Sequence, residues 1–247
     1  MNNYSIVLLL CLSLPYISQA QQTDKLYLIG DGRQSLERID QSSWATHPAI
    51  LQASDQAKNY WLEQNSVYED DFRIMASTEG NFTRPESKQT AVLYLLSLWP
   101  RCCSNMGLAI IENEQLIRNI VFAGGTHHLY SVADINKDGL DELALISGFG
   151  IGGSNETTLS LISLDNSSTT LLGRFPLVEE NCATLSEHSE HNSFRILFDE
   201  NSPDEFKLEH YHSGCDEPTV SEIPTSVSNV LIEAVDLKDD YIDLPIH

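Results

Sequence analysis

Basic residues are scarce in this sequence. The 14 lysines and arginines stand against 36 aspartates and glutamates, which leaves a formal charge of -22. A field of that sign repels phosphate backbones and anionic lipid, so it argues against nucleic acid or a bare membrane surface as partner and leaves cations and basic surfaces open. The same acidity also serves plain solubility, the commoner reason for such a charge. Long apolar runs are lacking as well. The first, Ile6 to Leu14, is too short to cross a ~30 Å hydrocarbon core, and Pro15 interrupts its end. It leads to Ser18-Gln19-Ala20, the small residues a signal peptidase requires, so residues 1–20 read as a signal peptide despite a head without Lys or Arg. Cys11 follows Leu10, not the small residue expected before a lipidated cysteine. No membrane span is expected after signal removal, and the chain is expected to be exported, periplasmic or extracellular.

Catalytic signatures are missing too. There is no Gly-x-Ser-x-Gly elbow, and abundant acids make carboxylate pairs meaningless without geometry. The turn-rich stretch Gly148-Phe149-Gly150-Ile151-Gly152-Gly153 is not followed by a helix or a Lys-Ser/Thr pair, so it reads as a strand connection and not as a phosphate cradle. Histidines group at His127-His128, His188 with His191, and His210 with His212, a pattern that scattered surface residues explain better than a transition-metal site. Trp99-Pro100-Arg101-Cys102-Cys103 is a candidate contact surface, although a core role for Trp99 is the commoner one.

Cysteine is sparing but even in number after the leader: Cys102, Cys103, Cys182 and Cys215. In an oxidising compartment these predict two disulfides, with three possible connectivities. Cys182 with Cys215 would close a loop worth about 4 kcal/mol in the chain-entropy model, leaving Cys102 and Cys103 to form a vicinal bridge or stay reduced. The alternative joins each adjacent cysteine to a distant partner. Sequons begin at Asn81, Asn155 and Asn166, and matter where exported proteins are glycosylated.

What is present is mostly β pattern. Lys25 to Ile29 predicts a strand running into Gly30-Asp31-Gly32. Ile50, Ala53, Ala57, Tyr60 and Trp61 recur at helical spacing after Pro48, which predicts one helix ending near Glu63 or Gln64. Strand-like runs follow at Phe72–Ala76, Thr90–Leu98, Leu108–Ile111 and Leu116–Phe122, with a turn at Glu112–Gln115. The nearly continuous apolar run through Leu98 predicts a central strand buried on both faces. Leu129–Ala133, Leu143–Ser147, Thr158–Leu164 and Thr169–Phe175 make a second group of four, the size of one propeller blade. Phe194–Phe198 and Glu205–Tyr211 predict a hairpin around Asn201–Asp204, and Val230–Val235 a last strand. The segments are then a signal peptide (1–20), an N-terminal strand and helix (21–66), a β-rich domain (67–237) containing the blade-like unit (129–175), and an acidic tail (238–247) expected to be loosely held. The fold class is mainly β with one N-terminal helix, built from antiparallel sheets in a partial or small propeller-like arrangement.

One segment carries a chemical mechanism. Residues 134–142 read Asp-Ile-Asn-Lys-Asp-Gly-Leu-Asp-Glu, with oxygen side chains at positions one, three, five and nine. Alternation aims Asp134, Asn136 and Asp138 inward, Gly139 permits a sharp turn that brings in the Leu140 carbonyl, and Glu142 completes the shell. Calcium suits six to eight flexible oxygen ligands, whereas magnesium demands a smaller octahedron and zinc prefers nitrogen or sulfur. An EF-hand would need a bidentate Glu at position twelve, where Leu145 stands, and helical flanks. With Asp134, Asn136, Asp138, Gly139 and the downstream glycine-rich turn, residues 129–175 resemble the calcium-binding FG-GAP and VCBS-type repeats found in propeller blades of integrin α chains. Glu142 stands where that family usually has Asp, and the family's repetition is absent. The resemblance implies a metal-stiffened structural element in an extracellular binding protein. The expectation is therefore an exported, Ca2+-stabilised β scaffold presenting loops to a protein or carbohydrate ligand. A hydrolase using acidic and histidine residues, and a structural envelope component, are the alternatives.

Overall fold

The structure is a computed structural model that describes residues 26–34, 42–64, 71–98, 104–165, 168–183, 189–215 and 223–246. The signal segment, Trp99, Cys102, Cys103, His188 and Asn166 lie outside the described residues. In chain order the elements are β1 (Leu26–Asp31), a short 3-10 turn (Ser42–Thr46), α1 (Pro48–Glu63), β2 (Arg73–Gly80), β3 (Gln89–Ser97), β4 (Ser104–Glu112) and β5 (Gln115–Gly124). Then come β6 (Thr126–Val132), β7 (Glu142–Ile151), β8 (Ser154–Leu164), β9 (Thr169–Glu180), β10 (Glu190–Asp199), β11 (Glu205–Gly214), β12 (Ser226–Leu231), β13 (Val235–Asp236) and β14 (Ile242–Leu244). The protein is mainly β with one α-helix among the described residues, and its antiparallel sheets are not closed.

α1 starts where the sequence predicts. Pro48 occupies the first turn, where its missing N–H costs nothing, and His47 caps the end by accepting from Ala49 N–H at 3.3 Å. Its buried stripe, Ala49, Ile50, Ala53 and Ala57, lies on the five-stranded sheet β14-β5-β4-β3-β2. β3 explains the continuous apolar run: Val92, Tyr94 and Leu96 face α1, whereas Ala91, Leu93 and Leu95 face the second sheet. Tyr94 fits because β4 carries Gly107 beside it; a Cβ there would stand 2.1 Å from the ring. The turn between β4 and β5 places Asn113 and Glu114 at positive φ, 49° and 65°, as a two-residue hairpin requires.

β6 to β9 form a second meander, and Leu143, Leu145, Ile162 and Leu164 bury one of its faces on β3 and β4. The opposite face, including Ala144, Ile146, Leu159 and Leu161, packs against Ile29, Ile196, Phe198 and Phe206. That second contact arises because the nine-stranded sheet turns back on itself. β10 meets β9 only over His191–Ser193, then passes that edge to β1, while β11 and β12 continue on its other side. The disulfide Cys182–Cys215, with Cα atoms 5.5 Å apart, connects the end of β9 to the end of β11. No helix among the described residues is long and apolar enough to cross a membrane.

Two local expectations differ. Val230–Val235 is not one strand: β12 ends at Leu231 and β13 begins at Val235, pairing with β9 instead of β11. The tail beyond Lys238 is held, because β14 pairs with β5 and Tyr241 stacks on Phe122 at 4.7 Å. A two-residue and a three-residue strand have no periodicity to read; they exist through the edges that receive them.

Candidate metal centre

The loop from Ala133 to Asp141 joins β6 to β7, so the flanks of the acidic segment are strands. Its backbone turns on Lys137 (φ 62°) and Gly139 (φ 89°), and a left-handed glycine avoids the strain that a Cβ would add. Ile135 and Leu140 are buried at 3% and 6% exposure and pin the loop to the protein. Between these anchors the polar side chains turn toward one another. Asp134 accepts from the N–H groups of Asp138 and Gly139 at 3.1 and 2.9 Å, and Asn136 Oδ1 accepts from Asp138 N–H at 3.0 Å. Asp138 Oδ1 accepts from Leu140 N–H at 2.8 Å, and Asp138 Oδ2 accepts from the Asn136 amide at 2.9 Å.

Glu142 opens β7, and its carboxyl group clusters with those of Asp134 and Asp138. It is 0% exposed, its Oε2 accepts from Ile135 N–H at 2.8 Å, and its Oε1 is buried with no hydrogen-bond partner. Burial pushes its pKa up to about 8; the Ile135 N–H opposes the rise, and the neighbouring Asp134 and Asp138 charges add to it. One carboxylate oxygen each from Asp134, Asp138 and Glu142 lie within 4.8 Å of one another. An all-oxygen donor set of this kind suits a hard divalent cation. Asp134, Asp138 and Glu142 would hold it, with the Asn136 side chain adjoining; Leu140 is linked to the cluster through its N–H bond to Asp138.

No family model, curated protein or solved structure matches this chain.

Two contributors escape the nine-residue pattern. Asp141, at position eight, turns away from the cluster and clasps the β2–β3 connection: its N–H donates to Asn81 O at 2.9 Å, and Asn81 N–H donates to its Oδ2 at 2.8 Å. Ser163, on β8, reaches Asp138 Oδ2 and the Asn136 amide at 3.4 Å each. Strand pairing brings it there across more than twenty residues, and no local spacing signals it.

The histidines assemble differently. His210 Nε2 and His212 Nδ1 share the Asn192 side-chain oxygen at 2.9 and 3.0 Å, while His191 Nε2 meets Ser193 Oγ at 3.1 Å. His210 and His212 bond to neutral strand neighbours, His191 Nδ1 stands 3.7 Å from the Glu180 carboxylate, and among the described residues the histidines do not gather ligand atoms as the Asp134 cluster does. The glycine-rich run is the β7–β8 hairpin, turning on Gly152 and Gly153 at φ 59° and 93°. Asn155 of the second sequon is exposed on that hairpin.

Proposed function

We propose that the loop from Asp134 to Glu142 is a Ca2+ site of the FG-GAP/VCBS kind, and that the chain is an exported β scaffold which this ion stiffens for binding a protein or carbohydrate. The observation that carries the reading is Glu142, whose Oε1 is buried without a hydrogen-bond partner and whose carboxyl group clusters with those of Asp134 and Asp138. Three clustered acids resist ionising together, and a buried carboxyl oxygen without a partner is costly. A hard divalent cation relieves both problems at once. The disulfide is of the type that persists in oxidising compartments, which supports an exported location. The ion's place between two strands, beside the Asp141–Asn81 clasp, suits a structural role.

Thermal unfolding in calcium and in chelator tests this reading. At ~1 mM calcium and an extracellular-module affinity near ~0.1 mM, binding stabilises by about 1.4 kcal/mol. For a chain of this size that raises the melting temperature by roughly 3–6 °C. Asp138→Ala abolishes the rise. An equal rise in the wild type and in Asp138→Ala would refute the assignment.

A further inference from the structure

On the side of the molecule where α1 ends, a cleft of about 820 Å3 opens between that helix, the β7–β8 hairpin and the C-terminal segment. The volume lies in the range of ~300–1,000 Å3 typical of ligand pockets. Its walls carry aromatic rings of different origin: Trp61 from α1, Phe149 from β7, and Tyr241, which is steadied by its stack on Phe122. Phe149 is 53% exposed, an unusual position for a large ring that serves no core.

The polar groups between the rings follow from strand alternation. Glu156, Thr158 and Ser160 fall on one face of β8, and all three line the cleft. Glu156 stands directly opposite Phe149 in the strand register, so a carboxylate and a free ring are presented side by side. Arg174, opposite Ser160, donates from Nε to Ser160 Oγ at 3.3 Å. Among the described residues no carboxylate pairs with it, in a chain with 36 acidic residues. An exposed guanidinium left without a carboxylate beside an open cleft has donors to spare for a ligand.

We propose that this cleft binds a neutral oligosaccharide, with Trp61 and Phe149 stacking on sugar rings and Glu156 and Arg174 hydrogen-bonding the hydroxyl groups. A pyranose offers an apolar C–H face and a rim of hydroxyls that both donate and accept, which matches rings interleaved with a carboxylate, hydroxyls and a guanidinium. An anionic ligand would meet Glu156 and Asp240 on the walls as well as the acidity of the whole chain. A lipid tail would leave the hydroxyls and charges desolvated without partners. The proposal names the ligand class for the binding scaffold described above and rests on that reading, though not on its calcium loop.

The test uses the full chain with cellotriose, maltotriose, mannotriose and chitotriose as neutral probes, and a sulfated disaccharide and octalysine as charged ones. Binding is followed by saturation-transfer NMR and calorimetry, in calcium and in chelator. At least one neutral trisaccharide is expected to bind, with affinity reduced tenfold or more in Phe149→Ala and several-fold in Glu156→Gln, both at unchanged melting temperature. Phe149 is exposed, so its removal leaves the fold intact even if Trp61→Ala does not. Failure of all four sugars, binding that both variants retain, or binding of a charged probe alone overturns the proposal. The melting shift with calcium, recorded on the same samples, separates the two ideas: a preserved shift without sugar binding removes the cleft, and sugar binding without the shift removes the calcium loop.

Discussion

At the scale of single residues, Glu142 stands out because its position is unfavourable as it stands. A carboxyl at 0% exposure with one oxygen unpartnered and two acidic neighbours must either stay charged where burial opposes it or take up a proton on folding, and either lowers stability at neutral pH. An amide of the same shape removes the charge and can donate to the adjoining carboxylates. Glu142→Gln is therefore expected to raise stability in chelator by about 1–3 kcal/mol, and at the same time to remove the response to calcium. Melting scans in chelator and in calcium read both effects from one protein. A variant less stable than the wild type in chelator would mean that Glu142 is an ordinary structural partner. The loop's ligand-type residues were legible in the sequence because they belong to a local spacing. Asp141 and Ser163 were not, since their roles depend on Asn81 and on the β7–β8 register.

At the scale of elements, β1, β10 and β11 are joined by charge as well as by backbone. Asp31, Arg195 and Glu209 stand directly opposite one another across three strands. Arg33 adds a bidentate pair to Asp31 at 2.8 and 2.7 Å and rests its guanidinium 4.2 Å from the centre of the Tyr211 ring. Burial pushes the Asp31 carboxyl up, but the hydrogen bonds and charge of Arg33, with Arg195, hold it below the usual range. Glu209 is likewise raised by burial and brought net below its ordinary value by Tyr211 and Lys207. Depressed folded-state values mean that this stabilisation is present above pH ~4 and is lost as pH falls through them. In urea titrations from about pH 6 to about pH 2, Asp31→Asn should begin about 1 kcal/mol or more below the wild type. The two curves should then converge at the acid end. Parallel curves would show that Asp31 does not carry the linkage. The hydrophobic period marked most of these strands in advance, yet not which edges they share, because the turning back at β10 is decided by Ile29, Ile196, Phe198 and Phe206 meeting the far face of β7 and β8.

At the scale of the whole molecule, the two sheets and the C-terminal segment converge on Arg118. This β5 side chain is 9% exposed; Nε and Nη2 bind the Asp243 carboxylate of β14 at 2.6 and 2.7 Å, Nη1 donates to Asp165 O at 2.6 Å, and Nη2 also reaches Thr169 Oγ1 at 3.1 Å. Thr169 in turn accepts through its carbonyl from Leu237 N–H, next to β13. One guanidinium thus spans the five-stranded sheet, the β8–β9 connection and the chain's last strand, which is why an acidic tail that reads as solvated is instead fixed in place. Asp243→Ala leaves that buried charge without its counter-ion. Because Asp243 itself is 39% exposed, the expected loss is about 2 kcal/mol, less than the 3–5 typical of a fully buried pair. Arg118→Met removes the charge together with its need for a partner and leaves Asp243 open to water, so it should cost less than Asp243→Ala. Urea unfolding of both variants decides the order. A larger loss from Arg118→Met would mean that the bonds to Asp165 and Thr169, between the sheets, hold the molecule together more than the ion pair that anchors its end.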